Sequence, residues 1–159
     1  MKKTGLVCLI ILLLSGCIGQ LDEDNIIYHS YIEEMKELKK VTTSKDVVNV
    51  SIELDRHTDD EITYSVVIDN PKESMKNIEA IVYHDQKTAD VFPSVGIYDQ
   101  KLNLIPEQKH DEKNVKGIVL VGYIATTKPI EQFHPTIQVM IVYSNPENER
   151  KKIYYSQTL

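Results

Sequence analysis

Tryptophan is absent from this 159-residue chain, cysteine occurs only at Cys8 and Cys17, and glycine and proline number six each. The scarcity of glycine excludes the common phosphate-cradling loops. Beyond residue 16 only Gly19, Gly96, Gly117 and Gly122 occur, too scattered for Gly-x-Gly-x-x-Gly or a Walker A segment. Neither a Gly-x-Ser-x-Gly elbow nor a Ser-x-x-Lys segment is present, so the common serine nucleophiles are missing. Basic charge is also in deficit: 18 Lys and Arg stand against 24 Asp and Glu, a formal net charge of -6. Nucleic acids and anionic surfaces call for clustered Lys and Arg, which an acidic chain does not offer. Adjacent carboxylates such as Asp59-Asp60 lie in a polar stretch, where no burial would separate their pKa values into an acid and a base. These absences together lead us to expect no enzyme and no cofactor.

The N-terminus carries the strongest positive signal. Lys2 and Lys3 precede an apolar run from Gly5 to Leu14, and small residues follow, in the order of a secretory signal. The run is well short of the ~20 residues needed to cross a bilayer. The tetrapeptide Leu14-Ser15-Gly16-Cys17 resembles the lipobox of bacterial lipoproteins. That resemblance implies a diacylglyceryl group on the Cys17 thiol and cleavage between Gly16 and Cys17. Two acyl chains hold a protein stably on a membrane where one binds only marginally. The rival reading is an ordinary signal peptide cut elsewhere, but no Ala-x-Ala-like site competes. With Cys17 acylated no cysteine is left, which excludes disulfides, thiol catalysis and cysteine-based zinc sites. Removing residues 1–16 takes away Lys2 and Lys3 and no acid, leaving 16 bases against 24 acids, a formal charge of -8. The expected location is the extracytoplasmic face of the cell membrane, with the lipid on Cys17 as the membrane contact.

Ile18 to Asn25 reads as a short acidic tether. From Ile26 to Lys40 there is no Gly or Pro, and Ile27, Tyr31, Met35 and Leu38 form one stripe at helical spacing. Acids at the start and Lys36, Lys39 and Lys40 near the end suit the helix dipole. Such a helix either packs its stripe on the following domain, serves as a stalk, or docks a partner protein. The hydrophobic period changes to two after Thr42-Thr43-Ser44, which divides the chain into a signal peptide (1–16), a tether with its helix (17–46) and a β-domain (47–159).

Within the β-domain, Val48, Val50, Ile52 and Leu54 alternate with polar residues, as do Ile62, Tyr64, Val66 and Ile68, and the two runs suit a hairpin or Greek-key pair. Further strands are expected at Ile78–His84, Thr136–Ser144 and Lys151–Ser156, with short edge strands at Val95–Tyr98 and Leu102–Ile105. The nearly continuous apolar run Lys116–Thr126 reads as a central strand. Seven or eight short strands with regular turns suit an immunoglobulin-like two-sheet β-sandwich, with a small barrel as the runner-up. The Cys, Trp, Cys core of antibody domains is missing. The lipobox, together with a compact β-domain containing segments such as Tyr64-Ser65-Val66-Val67-Ile68-Asp69-Asn70-Pro71, resembles the small lipoproteins of Gram-positive, Firmicute-type bacteria. Such a resemblance does not fix a function.

Candidate site residues are few. Asp55, His57, Asp59, Asp60 and Glu61 crowd the first turn but fit no metal-loop spacing, and no metal site is expected from them. His84, His110 and His134 fall near strand ends, as surface imidazoles. Tyr98, Tyr123, Tyr143, Tyr154 and Tyr155 lie in or beside strands, where some must point outward and offer rigid contact area. Phe92-Pro93-Ser94-Val95-Gly96-Ile97-Tyr98 mixes apolar residues with a breaker, making Phe92 and Tyr98 a candidate binding edge. The expected function is a non-enzymatic, membrane-anchored lipoprotein that presents its β-sandwich to a protein partner in the cell envelope. The alternative is a ligand- or metal-binding lipoprotein using loops at one end of the sandwich, from His57, Asp59, Asp60 and either His84 or His134.

Overall fold

A computed structural model describes residues 23–37, 47–87, 94–107 and 111–159. Gly16, Cys17, Phe92 and His110 lie outside the described residues. Among the described residues are a helix α1 (Glu23–Glu37) and eight strands: β1 (Asn49–Thr58), β2 (Glu61–Asp69), β3 (Met75–His84), β4 (Ser94–Leu104), β5 (Asn114–Val115), β6 (Gly117–Ala125), β7 (Thr136–Ser144) and β8 (Arg150–Thr158). A single 3₁₀ turn, Ile130–Gln132, precedes β7. The compact unit holding both sheets runs from Tyr31 to Leu159 and so takes in the second half of α1, while residues up to Ser30 group apart from it.

The protein is mainly β, with two sheets in the order β1-β2-β6 and β5-β4-β3-β7-β8. Pairing is antiparallel except for the short parallel contact of β4 with β5. The alternation seen in the sequence sets the faces, because successive side chains of a strand point to opposite sides. Ile62, Tyr64, Val66 and Ile68 of β2, and Ile118, Leu120 and Ile124 of β6, meet Ile78, Ala80 and Val82 of β3 and Ile137, Val139 and Ile141 of β7 in one core cluster. Gly122 also faces inward, and a side chain there would run into the Tyr64 ring. The fully buried Tyr64 thus occupies space that glycine leaves open.

The opposite face of the five-stranded sheet is apolar as well. Ile81, Met140 and Tyr154 are buried there although they belong to the other parity, and Ile32 and Met35 of α1 are buried with them. The Tyr31 hydroxyl donates a hydrogen bond to Glu79, Lys152 pairs with Glu34 at 2.5 Å, and the Tyr31 and Tyr98 rings lie 5.9 Å apart, which places the part of the helix from Tyr31 onward on this face. The expected stripe is therefore realised at Tyr31 and Met35 with Ile32 beside them. The Ile27 side chain and Leu38 lie outside the described residues.

Three expectations are corrected. The run Lys116–Thr126 is not central: among the described residues β6 pairs with β2 alone and so forms the edge of the three-stranded sheet, and its outward residues also stay exposed. The two short edge strands are one element, β4, which pairs with β3 along one side and with β5 at Asn103 and Leu104 on the other. His84 is not a surface imidazole. As the last residue of β3 it is buried, with its ring 5.7 Å from that of Tyr64.

Candidate functional site

Among the described residues the most exposed large apolar side chains of the sheets share one strand. Val119, Val121 and Tyr123 on β6 retain 58%, 41% and 48% of their accessible surface. They alternate with the buried Ile118, Leu120 and Ile124, so β6 is apolar on both faces and covered on one. Across the β2–β6 ladder, Val67 lies opposite Val119, Ser65 opposite Val121 and Thr63 opposite Tyr123. On β1, the next strand out, Ser51, Glu53 and Asp55 continue those rows. The outer face of this sheet therefore grades from acidic on β1, through mostly small polar side chains on β2, to an apolar stripe on β6. His57, at the end of β1, sets its ring edge-on to Tyr123 at 5.5 Å. A row of apolar side chains beside polar neighbours is the pattern of a contact surface, with Tyr supplying rigid area and a hydroxyl.

The free edge of the sheet runs along the same strand. The Thr126 amide donates to the Asp60 carbonyl at 2.8 Å, which sets the parity of the β2–β6 ladder. The even-numbered residues of β6 exchange hydrogen bonds with β2, and the N–H and C=O groups of Val119, Val121, Tyr123 and Ala125 point away from it. Among the described residues no strand pairs with that side. The devices that blunt an exposed edge, such as charge or proline on the strand, are missing from Gly117 to Ala125.

The sites expected from sequence are dispersed. Tyr98 is half-buried on β4 against Tyr31. Tyr143 and Tyr154 are buried, and of the tyrosines singled out only Tyr123 is exposed. Asp55, His57, Asp59 and Asp60 are exposed, and the Asp60 carboxylate accepts the Thr58 hydroxyl at 2.7 Å. His134 Nδ1 lies 2.8 Å from the Leu159 carbonyl oxygen, whereas His84 is in the core, so His57, His84 and His134 are not gathered. Among the described residues no three His, Cys, Asp or Glu side chains stand where one ion could be held. An open depression of about 350 Å³ lies beside the crossing from β5 to β6, lined by Pro71, Ile105, Pro106 and Val115 with Glu107 and Lys116. Among the described residues no helix is long and apolar enough to cross a membrane.

The β6 stripe was missed because an apolar run with both parities filled reads equally as a strand covered on both faces. A signal was available in the segment itself: Gly122 interrupts the inward parity only, leaving Val119, Val121 and Tyr123 as an unbroken outward series.

The fold and surface define a mainly β, two-sheet protein with one sheet covered by a helix and the other bearing an apolar edge. No family model and no curated protein matches the chain. Among solved structures it is similar to the sporulation control protein Spo0M from Bacillus subtilis, at 11% identity over 70% of this chain and with a TM-score of 0.24. The chain spans about half of that protein's length, 49%. At that TM-score the likeness bears on neither function nor partners.

Proposed function

We propose that this chain is a lipoprotein, anchored on the extracytoplasmic face of a cell membrane through a diacylglyceryl group on Cys17, whose immunoglobulin-like β-sandwich acts by binding protein rather than by catalysis. The observation that carries the binding reading is the exposed stripe Val119, Val121 and Tyr123 on the open edge β6. Support for the immunoglobulin type comes from strand order: β1-β2-β6 against β4-β3-β7-β8 follows the A-B-E and C′-C-F-G arrangement of such domains. The anchor rests on Leu14-Ser15-Gly16-Cys17 and its preceding apolar run. The likeness to lipoproteins of Gram-positive bacteria rests on that lipobox together with the compact β-domain and its segment Tyr64-Ser65-Val66-Val67-Ile68-Asp69-Asn70-Pro71. The acidic balance of the exported part disfavours adhesion to anionic lipid, so the domain stands off the membrane.

Cross-linking and affinity recovery from native membranes, with labelled fatty acid to follow the lipid, tests both parts. The wild-type chain is expected to carry label and to recover a defined cross-linked species, while Cys17→Ala loses the label and stays uncleaved. Label retained by Cys17→Ala would overturn the anchor. A wild-type chain that cross-links to nothing would overturn the binding reading.

A further inference from the structure

The charge around the open edge selects what can pair with it. Beside the stripe Val119, Val121 and Tyr123, the outward-facing residues of β1 and β2 include Glu53, Asp55, Glu61 and Asp69 and no Lys or Arg. Two of these acids bracket the stripe: Asp69 lies opposite Gly117, and Glu61 lies opposite Ala125. Among the described residues none of the four is held in an ion pair. The Asp69 carboxylate accepts the Asn49 and Asn70 side-chain amides at 2.8 and 3.1 Å, neutral donors that leave its charge in place. The cations close to this sheet in sequence are not on that face. Lys116 and Arg56 continue the inward parity, and the Arg56 guanidinium is spent on the carbonyls of Thr126 and Lys128.

We propose that β6 takes up, as an added antiparallel strand, an extended segment of another protein in which alternating apolar residues are bounded at both ends by Lys or Arg. This deepens the binding reading above, on which it rests, and is independent of the lipid anchor. The backbone groups of Val119, Val121, Tyr123 and Ala125 that point away from β2 would pair with the added strand, whose apolar side chains would lie beside the stripe. Its terminal cations would lie opposite Gly117 and Ala125. Those two residues are the smallest on the strand, so nothing bulky stands between a cation there and the carboxylate one strand further in. A Cβ built on Gly117 would come within 3.3 Å of the Asp69 Cβ, which puts both on the same face. From an added strand to β2 is two strand spacings, about 9.5 Å, which a Lys or Arg side chain and a carboxylate span together.

The same acids disfavour other occupants. A second copy of this chain, joined with Gly117 opposite Ala125, would set Asp69 of one molecule beside Glu61 of the other, like charge on like. An anionic lipid surface would meet all four carboxylates. One added strand covers less than the about 1,200 Å² at which stable interfaces begin, so the complex is expected to be weak and reversible, with charge selecting the partner more than holding it.

Fluorescence anisotropy with synthetic peptides, on the full-length chain in detergent, tests the charge rule. The probe is a labelled nine-residue strand, the length of β6, with Val at its third, fifth and seventh positions, Lys at both ends and Thr elsewhere. At low ionic strength it is expected to bind, and the same peptide with Glu at both ends to bind at least fivefold more weakly. The gap should narrow in about 0.5 M salt, which screens exposed charges. N-methylation of the three Val, whose amides would donate to β6, is expected to abolish binding. Glu61→Gln combined with Asp69→Asn, both outside the core, is expected to bind Lys-ended and Glu-ended peptides alike. Equal binding of the two peptides by the wild-type chain, an undiminished N-methylated peptide, or an unchanged preference in the double variant would overturn the proposal. Failure of every peptide would overturn it too; a cross-linked species still recovered from native membranes would then leave the binding reading standing, and its absence would remove both.

Discussion

The outer faces of the two sheets are finished in different ways. On the five-stranded sheet, Ile81, Met140 and Tyr154 lie buried with Ile32 and Met35 of α1. Around them Tyr31 donates to Glu79, Arg150 pairs with Glu79 at 2.5 Å, and Glu34 receives Lys152. On the three-stranded sheet the equivalent face carries Glu53 and Asp55, then Thr63 and Ser65, then the uncovered Val119, Val121 and Tyr123. Strands β6 and β7 are similarly apolar, yet seven consecutive residues of β7 are buried and alternate residues of β6 are exposed. Apolar content therefore does not reveal cover. Position in the sheet and the presence of an added layer decide it.

The largest effect is expected in the layer both sheets share. Val66 is fully buried, opposite Ile52 on β1 and Leu120 on β6. Val66→Asp would place an unpaired carboxylate there, a cost comparable to the whole stability of a domain, about 5 kcal/mol or more. Thermal unfolding by circular dichroism should show no cooperative transition. A soluble, cooperatively folded variant would break the register on which the comparison of faces depends.

The next effect separates the two outer faces directly. Met35 is fully buried, and Met35→Ala should destabilise by about 2–5 kcal/mol through lost contacts and the cavity left behind. Val119→Ala removes a largely exposed side chain and should change stability by no more than about 0.5 kcal/mol in the unpaired chain. Denaturant midpoints of the two variants measured side by side give the contrast. Equal costs would mean that β6 is covered too.

A smaller effect concerns the fastening of the covered face. Tyr31→Phe removes a hydrogen bond to the Glu79 carboxylate, which keeps Arg150, and should cost about 1 kcal/mol at this half-exposed rim. Burial, followed by the hydrogen bond and charge of Glu79, pushes the Tyr31 phenol up to about 12 from its ordinary value of 10.0. Because the folded pKa is raised, its contribution is fully present below pH 10 and is lost as the pH rises toward about 12. Alkaline unfolding should therefore lose one component in Tyr31→Phe, and identical alkaline profiles would remove Tyr31 from the fastening.

Much of this fold was legible from side-chain parity. The hairpin β1–β2, β3, β7 and β8 follow from period-two runs bounded by turns such as Asn70-Pro71 and Asn145-Pro146, and Asn70 and Asn148 take the positive φ that asparagine tolerates. Two things escaped it for physical reasons. Strand order is set by non-local pairing, so nothing within Lys116–Thr126 says whether a neighbour lies on one side or both. Burial of His84 depends on Tyr64, twenty residues away in sequence and on the other sheet, so its position at a strand end said nothing about its surroundings. The candidate surface was half legible: Tyr123 was among the tyrosines singled out, but its significance arises from the edge position of β6.

The smallest expected effect asks where acid first loosens the molecule. Asp85 follows β3 and, although largely exposed, ties its end to the start of β7: the Thr136 amide donates to the carboxylate at 3.0 Å and the Gln86 amide at 2.6 Å, while the Asp85 amide donates back to the Thr136 carbonyl at 3.2 Å. Burial works to raise this carboxyl, but the hydrogen bonds outweigh it and hold it below its ordinary 3.8. A depressed folded pKa gives stability that is present above the ordinary carboxylate value and lost as the pH falls through the folded one. Water screens so exposed a group, so the change in global stability should be slight, and the sharper readout is local. In Asp85→Asn, amide exchange at Thr136 should quicken at neutral pH and become nearly insensitive to acid, while the inward-bonded amides of β6 remain as in wild type. If the β6 amides quickened equally, the two sheets would be opening as one unit, and the contrast between a fastened face and a bare one would not extend to their dynamics.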